Sequence, residues 1–330
     1  MAIKHGVSLY SYQENYYLGK LDLEGCIAAA KAAGADGIEL IPEQMPVGRY
    51  PYPTEADVDR WFGWMDKYGT HPTCMDVFDD WKLYGNRALR IGEKVDFLID
   101  CFKRASQLGF YIIRAQNSIE IEAVEAAIPA AEHYNVIMGF ENHAPLMLKS
   151  ERNQQLIELI EKTGTQHVKI LPDFGIFEKR ANKLQLDKFV RQGMQQKFAD
   201  YLMEASILGL PEAQVRADLK KMDAPQSVEL LIRMNTNHYN DPNILKEMSR
   251  YLAPHFHAKF YEMDENCNET SIDYAGPIQV LKEMGWDGYL SSEFEGQRPF
   301  HDIEMGEYFV DEVEQVRRHH EMIRRLAALA

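Results

Sequence analysis

A carboxylate, an amide and an imidazole follow one another at the end of a short apolar run. Val136–Phe140 is apolar and too short for most helices, so we predict that it is a buried strand. Glu141, Asn142 and His143 come next, and Pro145 stops the strand from continuing in a sheet. A carboxylate can bind a metal ion, and an imidazole can accept a proton near neutral pH. The end of this strand is therefore the first candidate for a catalytic site.

Three later apolar runs also end in acids, histidines or lysine. Residues two apart in a strand point to the same side, so neighbours of this kind share one face. Taken singly, a strand-end acid is usually a helix N-cap or part of a salt bridge, and a strand histidine is usually a core residue. Several buried acids close together would repel one another, and a divalent cation is the economical explanation. The residues are Asp173 on the first of these runs, His255, His257 and Lys259 on the second, and Glu293 and Glu295 on the third.

Three carboxylates and one imidazole form a set of mostly hard oxygen ligands. Such a set suits Mn²⁺, Mg²⁺, Co²⁺ or Fe²⁺ better than a structural zinc site. The cation would act as a Lewis acid on a carbonyl or hydroxy-ketone and stabilise the enolate formed when the adjacent proton is removed. The base must be a group that the metal does not use, and His143 is the best candidate. The alternative role for His143 is a hydrogen bond to a metal ligand.

Eight apolar runs separated by amphipathic helices would bring these side chains to one face. Strict alternation of strands and helices predicts the α/β class and a (β/α)8 TIM barrel, in which the loops after the strands converge on one open end. No GxGxxG motif opens the first helix, which argues against an open doubly wound sheet. One domain covering residues 1–330 is expected. The predicted strands are His5–Tyr12, Gly37–Ile41, His71–Phe78, Phe110–Asn117, Val136–Phe140, His167–Phe174, His255–Tyr261 and Gly288–Glu295.

One segment between predicted strands is much longer than the others. Residues 175–254, roughly 80 in number, separate the sixth and seventh strands, where a crossover needs a dozen or more. The interval is charged and helical in pattern over Leu184–Leu208, Pro211–Met222 and Val228–Arg233. We predict a helical insertion on the active face, which could be a solvated excursion, a lid or a docking surface for another subunit.

Composition limits the functions to consider. The formal net charge of −15 disfavours nucleic acid and anionic membrane surfaces as partners, and weakly favours an uncharged or cationic small substrate. The four cysteines include no CxxC pair, which is typical of a reducing cytosol. No stretch of about 18 apolar residues occurs, so neither export nor membrane insertion is expected. A cytoplasmic enzyme acting on a small molecule is the expectation.

The ligand pattern resembles that of the xylose isomerase-like barrels, which include sugar isomerases, ketose epimerases, inosose dehydratase and the endonuclease IV group. The resemblance covers nearly the whole chain and implies one catalytic site of the Mn²⁺ type. Two positions depart from the pattern of the ketose epimerases, because Ile176 replaces a histidine and Met263 replaces an arginine. The implied metal ligands are Glu141, Asp173, His257 and Glu293. Two motifs support this choice, HxH in the seventh strand and DGYLSSEFE in the eighth.

Within this group, the chain is more similar to the α subunits of bacterial C-glycoside deglycosidases. The shared features are the opening KHGVSLYSYQ, the Glu141-Asn-His143 triplet and the long excursion before the seventh strand. This resemblance implies a lyase acting on 3-oxo-glycosides, in which the metal, most readily Mn²⁺, holds the keto oxygen and a neighbouring hydroxyl. His143 would remove the proton next to the ketone, and the aglycone would leave by β-elimination. A small β subunit and a higher oligomer are also implied.

Two other hypotheses remain open from the sequence. The same site could serve a keto-sugar isomerase, an epimerase or an inosose-type dehydratase. An epimerase needs two opposed acid and base groups, and Glu141 and Glu293 could fill these roles. Alternatively, the chain could be a sugar-binding or scaffold subunit on a barrel without chemistry. The predicted substrate-binding residues at the rim are Tyr10, Gln13, Gln116, Lys259 and Arg298.

Overall fold

Eight parallel strands form one sheet in the computed structural model, which describes residues 3–80, 82–229, 231–232, 239–303 and 310–329. The strands are hydrogen-bonded in the order β6-β5-β4-β3-β2-β1-β8-β7. This arrangement, with helices between the strands, confirms the predicted (β/α)8 barrel. The strands are β1 (Lys4–Ser8), β2 (Gly37–Leu40), β3 (His71–Asp76), β4 (Ile112–Ala115), β5 (Ile137–Asn142), β6 (Val168–Pro172), β7 (His255–Phe260) and β8 (Tyr289–Phe294).

The barrel closes where β6 meets β7. Two parallel bridges join these strands, one between Ile170 and Leu252 and the other between Asp173 and His257. The amide of Ala253 also donates a hydrogen bond to the carbonyl of Ile170 at 2.8 Å. The described residues of β6 and β7 share no continuous ladder, so this junction is a narrow seam in an otherwise paired sheet.

Helices follow the strands and begin and end at residues whose chemistry explains the boundaries. Asp22 accepts a hydrogen bond from the amide of Gly25 at the start of one helix, and Gly34 ends it with a φ of 100°. The helices are α1 (Gln13–Tyr17), α2 (Leu23–Ala33), α3 (Glu55–Tyr68), α4 (Ile91–Gln107), α5 (Ile121–Tyr134), α6 (Glu151–Thr163), α7 (Lys183–Arg191), α8 (Gln196–Ile207), α9 (Glu212–Lys221), α10 (Gln226–Glu229), α11 (Ile244–Glu247), α12 (Ala275–Glu283) and α13 (Glu312–Ala328).

The main apolar core lies between the sheet and the helices. Trp61 of α3 and Phe102 of α4 are fully buried in it, and the indole of Trp61 donates to the carbonyl of Leu108 at 3.0 Å. Burial of aromatic side chains of this size stabilises the contact between helix and sheet by about 2–3 kcal/mol each. Among the described residues, no helix combines the length and apolar character needed to cross a bilayer.

The first strand is shorter than its sequence pattern predicts. The predicted strand continued to Tyr12, whereas β1 ends at Ser8 and Leu9–Tyr12 forms a 3₁₀ turn. The turn is fixed because the Ser11 hydroxyl donates to the carbonyl of Ser292 and accepts from the amide of Phe294, both at 2.9 Å. A long-range contact with β8 therefore overrides the local alternation.

Between β6 and β7 the chain forms α7 to α11, within the predicted insertion. The helices α7, α8 and α9 share a separate apolar cluster. The predicted helix Leu184–Leu208 is interrupted near Gly193, whose φ is 105°. Arg191 of α7 donates to the carbonyl of Pro299 and lies 2.9 Å from the Asp302 carboxylate, both in the loop after β8. Part of the predicted piece Val228–Arg233 lies outside the described residues, and the single-domain extent of 1–330 stays a prediction.

Candidate functional site

Four strands bring the predicted metal ligands together. Glu141 is on β5, Asp173 follows β6, His257 is on β7 and Glu293 is on β8, and one ligand atom from each lies within 4.8 Å of the others. The Nδ1 atom of His257 is 2.8 Å from a Glu141 oxygen and 3.3 Å from a Glu293 oxygen. Asp173 and His257 are fully buried at the bottom of the cluster. The predicted clustering is therefore present, while the role of these residues as ligands stays a prediction.

Asp173 has two roles that share its carboxylate. Its Oδ1 atom accepts a hydrogen bond from the amide of Gly175 at 2.6 Å and so caps the 3₁₀ turn Phe174–Phe177. A Cβ atom on Gly175 would lie 2.8 Å from the same oxygen, which explains why the chain needs glycine at this position. The N-cap interpretation and the metal interpretation are thus compatible, because Oδ2 faces the cluster.

The arrangement fits a divalent cation. Asp173 Oδ2 and Glu293 Oε2 are buried and accept no hydrogen bond of standard geometry from any described residue. The ammonium group of Lys259 lies 2.8 Å from the first oxygen and 3.5 Å from the second. The guanidinium group of Arg114 lies 3.7 Å from Glu141, so two cations face the three carboxylates of the cluster and negative charge remains in excess. Three carboxylates with one imidazole form a ligand set of the kind that Mn²⁺ and related ions prefer.

Charges in the cluster shift one another's ionisation. Burial raises the pKa of Asp173 to about 7, although Lys259 acts in the opposite direction. Burial also favours the neutral form of Glu141, but Arg114 and His257 outweigh it and hold the pKa of this carboxyl well below its usual range. For Glu293, burial is again opposed by Lys259 and then by His257, which keep its pKa below the usual value. The surrounding residues therefore keep Glu141 and Glu293 ionised even without a metal ion.

A cavity of about 540 Å³ opens above the cluster. Glu141 and Glu293 form part of its floor, and His143 stands at its edge. Its size is sufficient for a small ligand. Predicted substrate-binding residues that line it are Tyr10, Gln116, Lys259 and Arg298, whereas Gln13 lines an adjoining cavity of about 790 Å³ that shares Gln44 with the first.

His143 is exposed at the edge of this cavity. Its Nδ1 atom is 2.7 Å from the carbonyl oxygen of Ala144. A carbonyl can only accept a hydrogen bond, so Nδ1 carries the proton and Nε2 of the neutral ring is left as the basic nitrogen. The preceding Asn142 is buried and donates to the carbonyl of Leu146, while Asn153 of α6 donates to Asn142 and to the carbonyl of Leu148. These amides fix the loop that carries the imidazole.

Three charged residues of the barrel interior were not predicted, and one of them, Arg114, also lines the cavity. Glu39 on β2, Asp76 on β3 and Arg114 on β4 are all buried. Arg114 Nε lies 3.1 Å from Asp76, and its Nη1 lies 3.7 Å from Glu141. Each is a charged residue within a short strand or at its end, as in GIEL, HPTCMD and IIRA, and this pattern was the signal that could have identified them. The polar interior of the barrel thus extends beneath the four predicted ligands.

The two positions at which the sequence departs from the ketose epimerase pattern are also buried. Ile176 lies in the 3₁₀ turn after Asp173, and its carbonyl accepts hydrogen bonds from Asn240. Met263 is 1% exposed in the loop after β7. Neither side chain lines the cavity above the cluster.

The chain matches one family model and is similar to two deglycosidase subunits. A family model described as "Xylose isomerase-like TIM barrel" matches residues 27–192. The 3'-dehydrocarminate deglycosidase alpha subunit of Microbacterium sp is 26% identical over 307 residues, with 88% of this chain and 88% of that one covered. The C-glycoside deglycosidase alpha subunit of Microbacterium trichothecenolyticum is 28% identical over 320 residues, covering 88% of this chain and 83% of that one.

Solved structures show a similar fold. D-psicose 3-epimerase from Clostridium cellulolyticum H10, solved with D-tagatose, has a TM-score of 0.61 at 14% identity and covers 98% of this chain and 99% of its own. The IOLI protein, solved with a zinc atom, has a TM-score of 0.57 at 12% identity and covers 99% of this chain and 98% of its own. At such identities the likeness concerns the fold alone.

Proposed function

This chain belongs to the xylose isomerase-like TIM barrel family, and we propose that it is the metal-dependent catalytic subunit of a lyase that cleaves 3-oxo-glycosides. The matched proteins are named as deglycosidases and an epimerase, which are enzymes that act on sugars. In the proposed reaction, a base takes the proton from the carbon between the ketone and the anomeric carbon, and the electron pair of that bond forms the enolate. The ketone then re-forms, a double bond to the anomeric carbon forms, and the bond to the aglycone breaks. The aglycone leaves with the electron pair and takes up the proton that the base had removed.

The observation that carries this proposal is the position of His143. Its ring lies at the edge of the cavity whose floor includes Glu141 and Glu293, and its Nδ1 proton is directed to the carbonyl of Ala144. Nε2 is then the atom that can accept the proton from the substrate carbon. The imidazole is two residues from Glu141 yet belongs to none of the three His, Cys, Asp or Glu clusters found among the described residues. His143 is thus available as a base.

Glu141, Asp173, His257 and Glu293 would hold the divalent cation in this proposal. When bound, the cation supplies a Lewis acid that stabilises negative charge on the keto oxygen. Lys259 reduces the repulsion between the acids from its place beside Asp173. The hydroxyl, amide and guanidinium groups of Tyr10, Gln116 and Arg298 line the cavity, where they can hydrogen-bond sugar hydroxyls. Binding by these groups would hold the reacting carbon near His143.

The direct test is release of an aglycone. The protein, with and without any small protein that co-purifies with it from its host, is incubated with a 3-oxo-C-glucoside and Mn²⁺, and the free aglycone is measured by chromatography. We expect release that stops when the metal is removed by a chelator. Absence of release in both preparations, with interconversion of free keto-sugars instead, would refute the lyase proposal.

A second test addresses the base. His143→Asn should lower the rate of release by about 10²–10⁴-fold, the usual contribution of general base catalysis, while Mn²⁺ binding changes little. His133→Asn, an exposed histidine on α5, is the matched control and should leave the rate unchanged. If His143→Asn lowers the rate less than tenfold in folded, metal-loaded protein, His143 is not the base.

An epimerase or isomerase is the second candidate, because Glu141 and Glu293 both line the cavity and could act as opposed acid and base. Such an enzyme should tolerate His143→Asn far better than it tolerates loss of either glutamate. The buried Ile176 and Met263 give this candidate less support, because they provide no polar group at the cavity. Assay of free keto-sugars with the His143 variant separates the two candidates.

We also propose a partner subunit. The support is that the two relatives are named as alpha subunits and match most of this chain. A small β subunit that co-elutes with the chain from its native host, identified by mass spectrometry, would agree with the proposal. A chain that is fully active with 3-oxo-C-glucosides and elutes alone would contradict it.

A further inference from the structure

Glu39 contacts two histidines inside the barrel, beneath the predicted ligands. Glu39, His255 and His257 each have no exposed surface. The Oε2 atom of Glu39 lies 2.5 Å from His255 Nε2, and its Oε1 atom lies 3.0 Å from His257 Nε2. The opposite nitrogen of His257, Nδ1, is the atom that faces Glu141 and Glu293. One carboxylate therefore stands behind both rings, on the side away from the cluster.

The sheet is irregular beside Glu39. Ile38 and Glu39 of β2 pair with Pro72 and Cys74 of β3, so Thr73 is an additional residue on the neighbouring strand. Bulges redirect a side chain and occur frequently beside active sites. The hydroxyl of Thr73 donates to the carbonyl of Ile38 at 3.0 Å, so a side chain satisfies the backbone group next to the irregularity. The irregularity of the sheet therefore lies directly beside Glu39.

We propose that Glu39 is a positioning residue for the metal centre: its carboxylate accepts the Nε2 proton of His257 and so leaves the Nδ1 lone pair facing the other ligands. This inference rests on the metal site of the proposed function. A histidine that binds a metal through one nitrogen is commonly oriented by a carboxylate on the other, which fixes the tautomer and makes the ring a better donor. His255, as the second donor to Glu39, holds the carboxylate in place.

The contacts of Glu39 favour direct hydrogen bonds to the histidines over a second cation bound at this place in the barrel. Glu39 also belongs to two other candidate clusters, one with Cys74 and His255 and one with Asp76 and His257. The 2.5 Å contact between Glu39 and His255 is the length of a direct hydrogen bond and leaves no room for an ion between the two atoms. His257 Nε2 and Glu39 Oε1 are 3.0 Å apart, which is hydrogen-bond length, although their angles do not meet standard geometry among the described residues. The proposal therefore requires a small rotation of the His257 ring toward Glu39.

Glu39→Gln tests the proposal with Mn²⁺ alone, by titration calorimetry. The glutamine amide can accept from one histidine through its oxygen, but its NH₂ group cannot accept from the other. We expect Mn²⁺ affinity to fall by about 10–100-fold, the usual effect of removing such a partner. The matched control is Glu312→Gln, a carboxylate that is equally buried but bonded to Asn15 on another side of the barrel. The control should keep its Mn²⁺ affinity even if it is less stable.

The outcomes are distinguishable. If folded Glu39→Gln protein binds Mn²⁺ within threefold of the parent, Glu39 is only a core ion pair and the inference is overturned. If the parent chain binds no Mn²⁺, the metal site of the proposed function fails as well. A second measurement does not depend on the variant. With ¹⁵N-histidine labelling and Zn²⁺ as a diamagnetic probe, His257 of the parent protein should carry its proton on Nε2, and a proton on Nδ1 would refute the proposal.

Discussion

Replacing Lys259 by methionine removes one of the two buried cations beside the acids of the cluster, the other being Arg114, and nearly preserves side-chain volume. The ammonium group lies 2.8 Å from Asp173, 3.5 Å from Glu293 and 3.7 Å from Glu295, and its side chain is 11% exposed. Lys259→Met should therefore destabilise the metal-free protein, because buried carboxylates lose their counter-charge. The same change should strengthen Mn²⁺ binding, because a competing positive charge disappears from beside the ligands.

The distances from Lys259 to the carboxylates determine how much stability the substitution should remove. Two unit charges 2.8–3.5 Å apart attract by roughly 5–6 kcal/mol at an effective dielectric constant of about 20. Desolvation cancels part of this attraction, and breaking a buried pair typically costs about 3–5 kcal/mol. With 330 residues and roughly 2.1 cal/mol/K of unfolding entropy per residue, the melting temperature should fall by about 4–7 °C. Asp173 already has a raised pKa, so the loss should be larger at pH 8 than at pH 6, where this carboxyl takes up a proton.

Differential scanning calorimetry of both proteins, first with chelator and then with Mn²⁺, measures both effects. Lys162→Met is the control, because Lys162 is 66% exposed and pairs with Glu125 at 2.7 Å on the surface, where such a pair contributes about 0–1 kcal/mol. Mn²⁺ should raise the melting temperature of Lys259→Met more than that of the parent. An unchanged melting temperature without metal, or a smaller rise with metal, would show that Lys259 does not balance these acids.

Other predictions concern the metal, the sheet and acid stability. Chelation should lower the melting temperature of Mn²⁺-loaded protein by about 4 °C if the ion had been present at about 100 times its dissociation constant; no change would count against a site at Asp173. Gly37→Ala should cost about 1–3 kcal/mol in urea unfolding, because the added Cβ would lie 2.6 Å from the Tyr289 ring; a neutral substitution would contradict the close packing. Burial lowers the pKa of His320 to about 3, below its ordinary value of 6.5, so stability present above pH 6.5 is lost as the pH falls. Between pH 7.5 and 4.5 the loss from this group should be about 2–3 kcal/mol, and His320→Leu should flatten that part of the pH dependence of unfolding.

The architecture was predictable because short apolar runs typical of strands alternate with amphipathic patterns typical of helices along the chain. The four cluster residues were predictable for a related reason, since the ends of parallel strands meet on one face of a barrel. Asp173 illustrates the limit of this reasoning. Its position after a strand predicted both an N-cap and a ligand, and the structure provides the cap contact to Gly175 while directing Oδ2 into the cluster.

Residues whose roles depend on contacts between distant strands were not predictable. Glu39 lies within the apolar run GIELI, and neither local propensity nor alternation indicates that two histidines more than 200 positions later will face it. The early end of β1 has the same origin, because the Ser11 hydroxyl bonds to β8. Gln13 stays a prediction of substrate binding from the sequence, and it lies in the adjoining cavity.

The seam between β6 and β7 relates the metal centre to the completion of folding. One of its two bridges joins Asp173 to His257, so residues of the candidate site make one of the contacts that close the barrel. These two residues lie on opposite sides of the insertion and come together only when both edges of the sheet are in place. A cation held by both would bind the finished barrel and not a partly folded chain. Metal loading would then serve as a check on assembly, because a molecule whose seam had not closed would lack the site and would be inactive.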